Sequence, residues 1–185
     1  MATLVTVETT QATVSHEKAQ EQFLWALHKW LVGSVATWMS DRQRSEQVLV
    51  LIGRQGIYKT NFFRYLLPPP LRSYFWENNH NSFSHKDDKL ALTEFCIADI
   101  EEIEAFADRD TAELKSLISA YYIKERRPYA RFRTPKARLA SFCATGNTQR
   151  FLTDLTGNRR WFCFLVNHIE APWDWTIDYQ QLYAQ

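Results

Sequence analysis

Glycine is scarce in this chain, with five in 185 residues, so each must be placed for a reason. Four of the five, Gly53, Gly56, Gly146 and Gly157, fall beside apolar runs where strands would end. Cysteine is scarcer, and Cys96, Cys143 and Cys163 are widely spaced. Without a paired C-x₂-C arrangement they do not outline a structural zinc site, and buried free thiols in strands are expected. Net charge is only +1, which excludes a global basic field, so any nucleic-acid contact must come from a local patch. No apolar run is long enough to span a bilayer, and residues 1–20 lack the charged start and apolar core of a secretory signal. The expectation is a cytoplasmic protein with no membrane partner. Two histidines, His80 and His85, are close together in a polar stretch, where a surface loop is favoured over a metal site.

What is present is a chain of ordinary composition, 45% hydrophobic and 23% charged, with seven tryptophans and length for one globular domain. Residues 1–16 read as a disordered or boundary segment, and 17–185 as the folded domain. Apolar residues at three- and four-residue steps predict a helix over 17–39, with Ser15 as its N-cap. Strands are expected at 48–52, 95–98, 138–145 and 160–166, and helices at 61–67, 71–77, 100–107 and 111–121. This alternation predicts an α/β fold, a mainly parallel sheet flanked by helices behind an N-terminal helix.

The most informative stretch is Gly53, Arg54, Gln55, Gly56, Ile57, Tyr58, Lys59 and Thr60, which follows the apolar run Val48–Ile52. A buried strand, a glycine turn and Lys-Thr opening a helix is the layout of a phosphate-binding loop. Backbone N–H groups and the helix N-terminus would face phosphate oxygens, Lys59 would reach the terminal phosphates, and Thr60 would ligate Mg²⁺. The loop departs from G-x-x-x-x-G-K-[ST] at Tyr58, where the second glycine belongs, so Gly56 is expected to supply the turn's flexibility. The competing reading is a strand–turn–helix with a chance Lys-Thr.

The second expected strand ends in acid, Asp99, Glu101, Glu102 and Glu104. A phosphoryl-transfer site needs one carboxylate near the metal and another to activate water. A helix with an acidic first turn would read the same way, and on a helix Glu102 would share a face with Asp99. The third strand ends at Asn147, an amide suited to holding an attacking water, although Gly-Asn pairs also mark plain turns. Arg159 and Arg160 open the fourth strand, where a guanidinium near the terminal phosphate would stabilise charge, or an exposed basic turn would lie. Arg126, Arg127, Arg131 and Arg133, interleaved with Tyr122, Tyr129 and Phe132, are the local candidate for nucleic-acid contact; a solvated hairpin is the alternative.

The runs Leu51 to Thr60, Leu66 to Pro69, Arg127 to Tyr129, Arg138 to Phe142, Thr145 to Asn147 and Phe151 to Trp161 closely resemble the virulence-associated E family. These are the VirE/VapE-like P-loop proteins of bacterial mobile elements and prophages. The similarity covers about Phe23 to Gln185, and even Gln-Gly-Ile-Tyr-Lys-Thr looks like the loop of one branch. The family is similar to superfamily 3 helicases and AAA+-like ATPases and is commonly linked to primase domains. The resemblance implies an ATP-dependent, helicase-like motor acting in the replication of mobile-element or phage DNA, and a fragment of a longer protein. It implies ATP and Mg²⁺ as cofactors, single-stranded DNA as partner, a homo-oligomeric ring and a primase domain or partner. Lys59 would act on the terminal phosphates, Thr60 with Asp99 on Mg²⁺, Glu102 as base and Asn147 on the water. Arg159 or Arg160 would serve as arginine finger or sensor. A nucleotide-binding scaffold with negligible hydrolysis is the alternative, favoured by Tyr58.

Overall fold

The computed structural model describes residues 4–8, 15–78, 80, 82–105, 108–127, 129–148 and 160–184. Its centre is β2 (Val48–Ile52), five branched apolar residues buried on both faces. β2 pairs in parallel with β7 (Ser141–Gly146) on one side and β8 (Trp161–Ile169) on the other. Beyond β7 lie β4 (Ile97–Ile100) and then β3 (Phe75–Asn78), both parallel. β1 (Val5–Val7) closes the other edge, antiparallel to β8, giving the order β1-β8-β2-β7-β4-β3. The expected mainly parallel α/β sheet is therefore present. All five parallel strands run the same way, so the residues that follow β2, β4 and β7 meet along one rim.

Two apolar layers cover the sheet. Leu49, Leu51, Ile97 and Cys143 face α1 (His16–Met39) and α2 (Lys59–Leu66), whose Phe23, Leu27, Trp30, Phe62 and Phe63 fill that side. Val50, Ile52, Ala98, Ile100 and Phe142 face Leu114, Leu117 and Ile118 of α4 (Asp108–Ser119). Alternation along each strand feeds both layers. α1 begins as its sequence dictates, with the Ser15 hydroxyl accepting the Lys18 N–H at 3.3 Å. Its buried Trp30 donates through Nε1 to the Phe142 carbonyl at 2.7 Å, fixing the helix on the sheet. Among the described residues, no helix is long and apolar enough to cross a membrane.

Several expectations are corrected. The helix expected over 71–77 is a 3-10 turn, Pro69–Tyr74, followed by β3. Phe75 is buried and Phe75–Asn78 pair with Ile97–Ile100, so sheet pairing overrides the local periodicity. The helix expected over 100–107 does not form either. Ile100 stays in β4, Glu101 and Glu102 make a turn, and a single 3-10 turn, Ile103–Ala105, follows. Asp99 and Glu102 therefore share no helix face. Val5–Val7 form a strand inside the expected boundary segment by pairing with β8, and the Gln20 amide of α1 adds bonds to it, donating to Val5 O at 2.8 Å and accepting from Val7 N–H at 3.3 Å.

Two short elements leave the sheet. α3 (Lys86–Ala91) begins within the expected polar loop, and α5 (Tyr179–Tyr183) packs its tyrosine hydroxyls onto the carbonyls of Tyr65 and Leu66. β5 (Tyr122–Ile123) and β6 (Lys136–Ala137) form a separate antiparallel hairpin joined to the start of β7.

Candidate functional site

The loop leaving β2 is shaped by close approach. A Cβ on Gly53 would lie 2.3 Å from the Val166 carbonyl oxygen, so no other residue fits where β2 exits beside β8. Gly56 has φ +84°, as expected of a glycine turn, but the strain does not end there. Tyr58 itself is left-handed, φ 68° and ψ 26°, at the N-cap of α2. The residue standing where a second glycine belongs thus adopts a conformation that glycine favours and most side chains resist. Its ring is held edge-on against Trp173, centroids 5.0 Å apart.

Lys59 follows as the first residue of α2, buried rather than exposed. Its ammonium donates to Gly53 O and Arg54 O, both at 2.8 Å, and to Asn147 Oδ1 at 3.2 Å. Burial lowers its pKa, and the charges of Glu104 and Asp99 oppose that shift. A helix N-terminus with a lysine amine beside it is suited to an anion. Thr60 Oγ1 donates to Glu101 Oε1 at 3.3 Å.

β7 lies between β2 and β4, so Asn147 at its end stands between the lysine and the acidic strand. Gly53 N–H donates to Gly146 O at 3.1 Å, holding the two rims together. Asp99 is fully buried in β4 opposite Cys143. Its Oδ1 accepts from the Cys143 thiol at 3.4 Å, and its buried Oδ2 makes no hydrogen bond. Burial pushes the Asp99 carboxyl up to about 7, and the Cys143 thiol is raised by the same cause. The three cysteines are all free; Cys143 is on β7, Cys163 on β8, and Cys96 one residue before β4.

Lys59, Thr60 and Asn147 line one cleft of about 420 Å³, whose walls also include Gln55, Gly56, Tyr58, Glu77, Glu101 and Glu102; buried Asp99 is not among the wall residues. Glu102 enters it from a strained turn, φ 47°. The donors suit a hard cation. Thr60 Oγ1 and the oxygens of Asp99 and Glu101 are all oxygen ligands, and Asp99 Oδ2 is a buried oxygen without a partner. Among the described residues no cluster of three or more His, Cys, Asp or Glu is placed to hold a metal. A cation here would therefore take few protein ligands and complete its shell from substrate or water, as Mg²⁺ commonly does. The His80 and His85 rings are tilted at 56° with centroids 5.3 Å apart, and His80 Nδ1 lies 3.2 Å from Asp88.

Arg160 is elsewhere. It precedes Trp161, which pairs with Val48 at the start of β2, so it lies at the opposite end of the sheet from Lys59. The length of β2 separates them, roughly 16 Å at ~3.3 Å per residue. Arg160 donates to Ser119 Oγ at 3.2 Å and lies 3.5 Å from Glu46. That placement sets Arg160 away from its own chain's cleft; Arg159 lies outside the described residues. Arg126, Arg127, Arg131 and Arg133 are exposed on the segment joining β5 to β6, with Tyr129 and Phe132 among the most exposed aromatics. This hairpin is also at the far end of β7 from Asn147.

Sequence reasoning missed Glu104 and Arg138. Glu104 was legible only as one acid in an acidic run, yet its Oε1 accepts the Asn147 N–H at 2.8 Å. Arg138 is wholly buried, has no carboxylate partner among the described residues, and its guanidinium donates to the carbonyls of Ser45, Ile118, Ala120 and Ala140. Burial lowers its pKa to about 9, still well above neutrality, so it remains charged.

Among curated proteins none matches the chain significantly. Solved structures do. The apo C-terminal region of NrS-1, residues 305–718, matches with TM-score 0.57 at 16% identity, covering 99% of this chain and 45% of that one. Its A form matches with TM-score 0.55 at 16% identity, covering 99% and 44%. The chain thus spans under half the length of these structures, and at this identity the likeness is one of fold. A sequence profile of the virulence-associated protein E-like domain matches residues 6–185, and the chain belongs to that family.

Proposed function

We propose that the cleft binds Mg²⁺-ATP and hydrolyses it, and that the chain is the P-loop motor module of a helicase-like protein acting in DNA replication. The observation that carries this reading is the convergence, at the ends of three neighbouring parallel strands, of Lys59 with Asn147 and of Thr60 with the acidic turn. Doubly wound sheets collect ligands at that rim. The family and the fold shared with the NrS-1 C-terminal region support the replication role.

In this reading the loop N–H groups from Gly53 to Thr60 face the phosphates, and Lys59 turns its donors from Gly53 O, Arg54 O and Asn147 toward the terminal phosphate. Thr60 and Asp99 would hold Mg²⁺, directly or through water, with Glu101 beside them, and the ion would supply positive charge against the phosphate oxygens. Glu102 accepts the proton of the attacking water as its oxygen bonds to the terminal phosphorus and the bond to ADP breaks. Asn147 holds that water. Because Arg160 faces away from its own cleft, an arginine finger from Arg159 or Arg160 serves a neighbouring subunit in a ring. Exposed Arg126, Arg127, Arg131 and Arg133, with Tyr129 and Phe132, contact single-stranded DNA. Tyr58 weighs against a non-hydrolysing scaffold, since its backbone already takes the left-handed conformation the loop needs.

The test is steady-state ATP hydrolysis with and without single-stranded DNA, by this chain and by a longer form carrying its neighbouring domains. Glu102→Gln should keep ATP binding and lose about 10² or more in rate. Mixtures of Arg159→Ala or Arg160→Ala subunits with Lys59→Ala subunits should recover activity, because a mixed interface can pair an intact loop with an intact finger. No hydrolysis by the longer form with DNA present contradicts the motor reading. Absence of recovery in every mixture contradicts the ring.

A further inference from the structure

Glu104 stands behind the cleft rather than in it. The cleft walls include Glu101, Glu102 and Asn147 but not Glu104. Its carboxylate grips the end of β7: Oε1 accepts the Asn147 N–H at 2.8 Å, and Oε2 is buried against Gly146 with no hydrogen bond. A Cβ at Gly146 would lie 2.7 Å from that Oε2, so this glycine's missing side chain is what admits the carboxylate. The grip has a firm base. Ile103 is buried, and the 3-10 turn is closed by Ala105 N–H donating to Glu102 O at 2.7 Å. On the far side of the same residue, Asn147 Oδ1 accepts from Lys59. Glu104, the Asn147 backbone, the Asn147 amide and the Lys59 ammonium thus form one connected line.

We infer that Glu104 is a positioning residue: it fixes the backbone of Asn147 so that the amide is aimed at Lys59 and at the terminal phosphate. This rests on the nucleotide reading above. Glu104 lies four residues beyond the end of β4 and does not line the cleft, so it acts through Asn147 rather than by touching substrate. An amide left to turn freely would place water less well, and small misplacements of a reacting group lower rate far more than affinity. Glu104 is in addition the foremost charge opposing the loss of Lys59's proton on burial.

The experiment compares parent, Glu104→Gln, Glu104→Ala, Asn147→Ala and the Glu104→Ala/Asn147→Ala double variant, measuring ATP dissociation constant and turnover. Glu104→Ala should bind ATP within about threefold of parent and turn over about 10- to 100-fold more slowly. Glu104→Gln keeps an acceptor oxygen for the Asn147 N–H and should recover most of the rate. The double variant should be no slower than Asn147→Ala alone, since both changes disable one device. Additive losses, a Gln variant as slow as the Ala variant, or an Ala variant at the parental rate would each overturn the inference. Amide hydrogen exchange at Asn147 reads the grip without any activity: protection should drop at least about tenfold in Glu104→Ala and persist in Glu104→Gln. Unchanged exchange in Glu104→Ala overturns the inference. A parent that keeps this protection but binds no ATP overturns the nucleotide reading instead, and should Glu104→Ala fail to fold, the Gln variant with the exchange measurement decides.

Discussion

At the scale of single residues, the cleft concentrates groups held in unfavourable states. Tyr58 and Glu102 carry positive φ, Lys59 is buried, and Asp99 is a carboxylic acid in an apolar layer. Such strain is expected to be relieved by a ligand rather than by the fold. Asp99 makes this testable. Its folded pKa of about 7 lies above the ordinary 3.8, so between those values the native state keeps a proton that the unfolded chain has released. Stability therefore falls as pH rises from about 4 to about 7 and levels off above, by about 4 kcal/mol in all. In EDTA, Asp99→Asn should lack this slope and be more stable than parent at pH 8 while losing hydrolysis. Parallel denaturation profiles for the two proteins would contradict the assignment. Lys59, Thr60, Asp99 and Asn147 were legible because their chemistry depends on local order along the chain. Glu104 was not, because its partner is forty-three residues away and the contact is to a backbone N–H that no side-chain pattern records.

At the scale of elements, strands that are apolar on both faces were readable from composition, as Val48–Ile52 shows. β3 was not, because the aromatic run Phe75-Trp76 becomes a strand only through pairing with β4. The acidic turn was misread as helix for a similar reason: Ile100 is claimed by the sheet. Arg138 shows what an element boundary can require. It joins the turn before β2, the end of α4 and the start of β7 through carbonyls, with its guanidinium over the Phe142 ring, and Arg138 N–H also donates to Tyr121 O at 3.0 Å, anchoring the hairpin. The hairpin's exposed segment then offers Tyr129 and Phe132 as stacking surfaces amid four arginines. Replacing both aromatics by alanine should weaken single-stranded DNA binding by about tenfold or more, since each stacked base contributes about 1–3 kcal/mol. ATP affinity should be unchanged, because the hairpin lies at the opposite end of β7 from the cleft. Undiminished DNA affinity in a filter-binding or anisotropy titration would remove the hairpin from the interface.

At the scale of the whole molecule, the fold puts the candidate cleft at one rim of the sheet and the hairpin with Arg160 at the other. Under the proposed function, hydrolysis belongs to the first rim and contact with nucleic acid and neighbouring subunits to the second. Arg160's place at the opening of a strand was readable from the sequence; that this strand lies beside β2 and parallel to it, which sets Arg160 at the far rim, was not. The central claim is that the β2 loop is a nucleotide site governed by Lys59. Calorimetric titration of Mg²⁺-ATP into the parent and into Lys59→Ala, each shown to be folded by circular dichroism, tests it most directly. The account predicts saturable binding by the parent and no measurable binding by the variant. Equal affinity of the two proteins, or no binding by either, would contradict it.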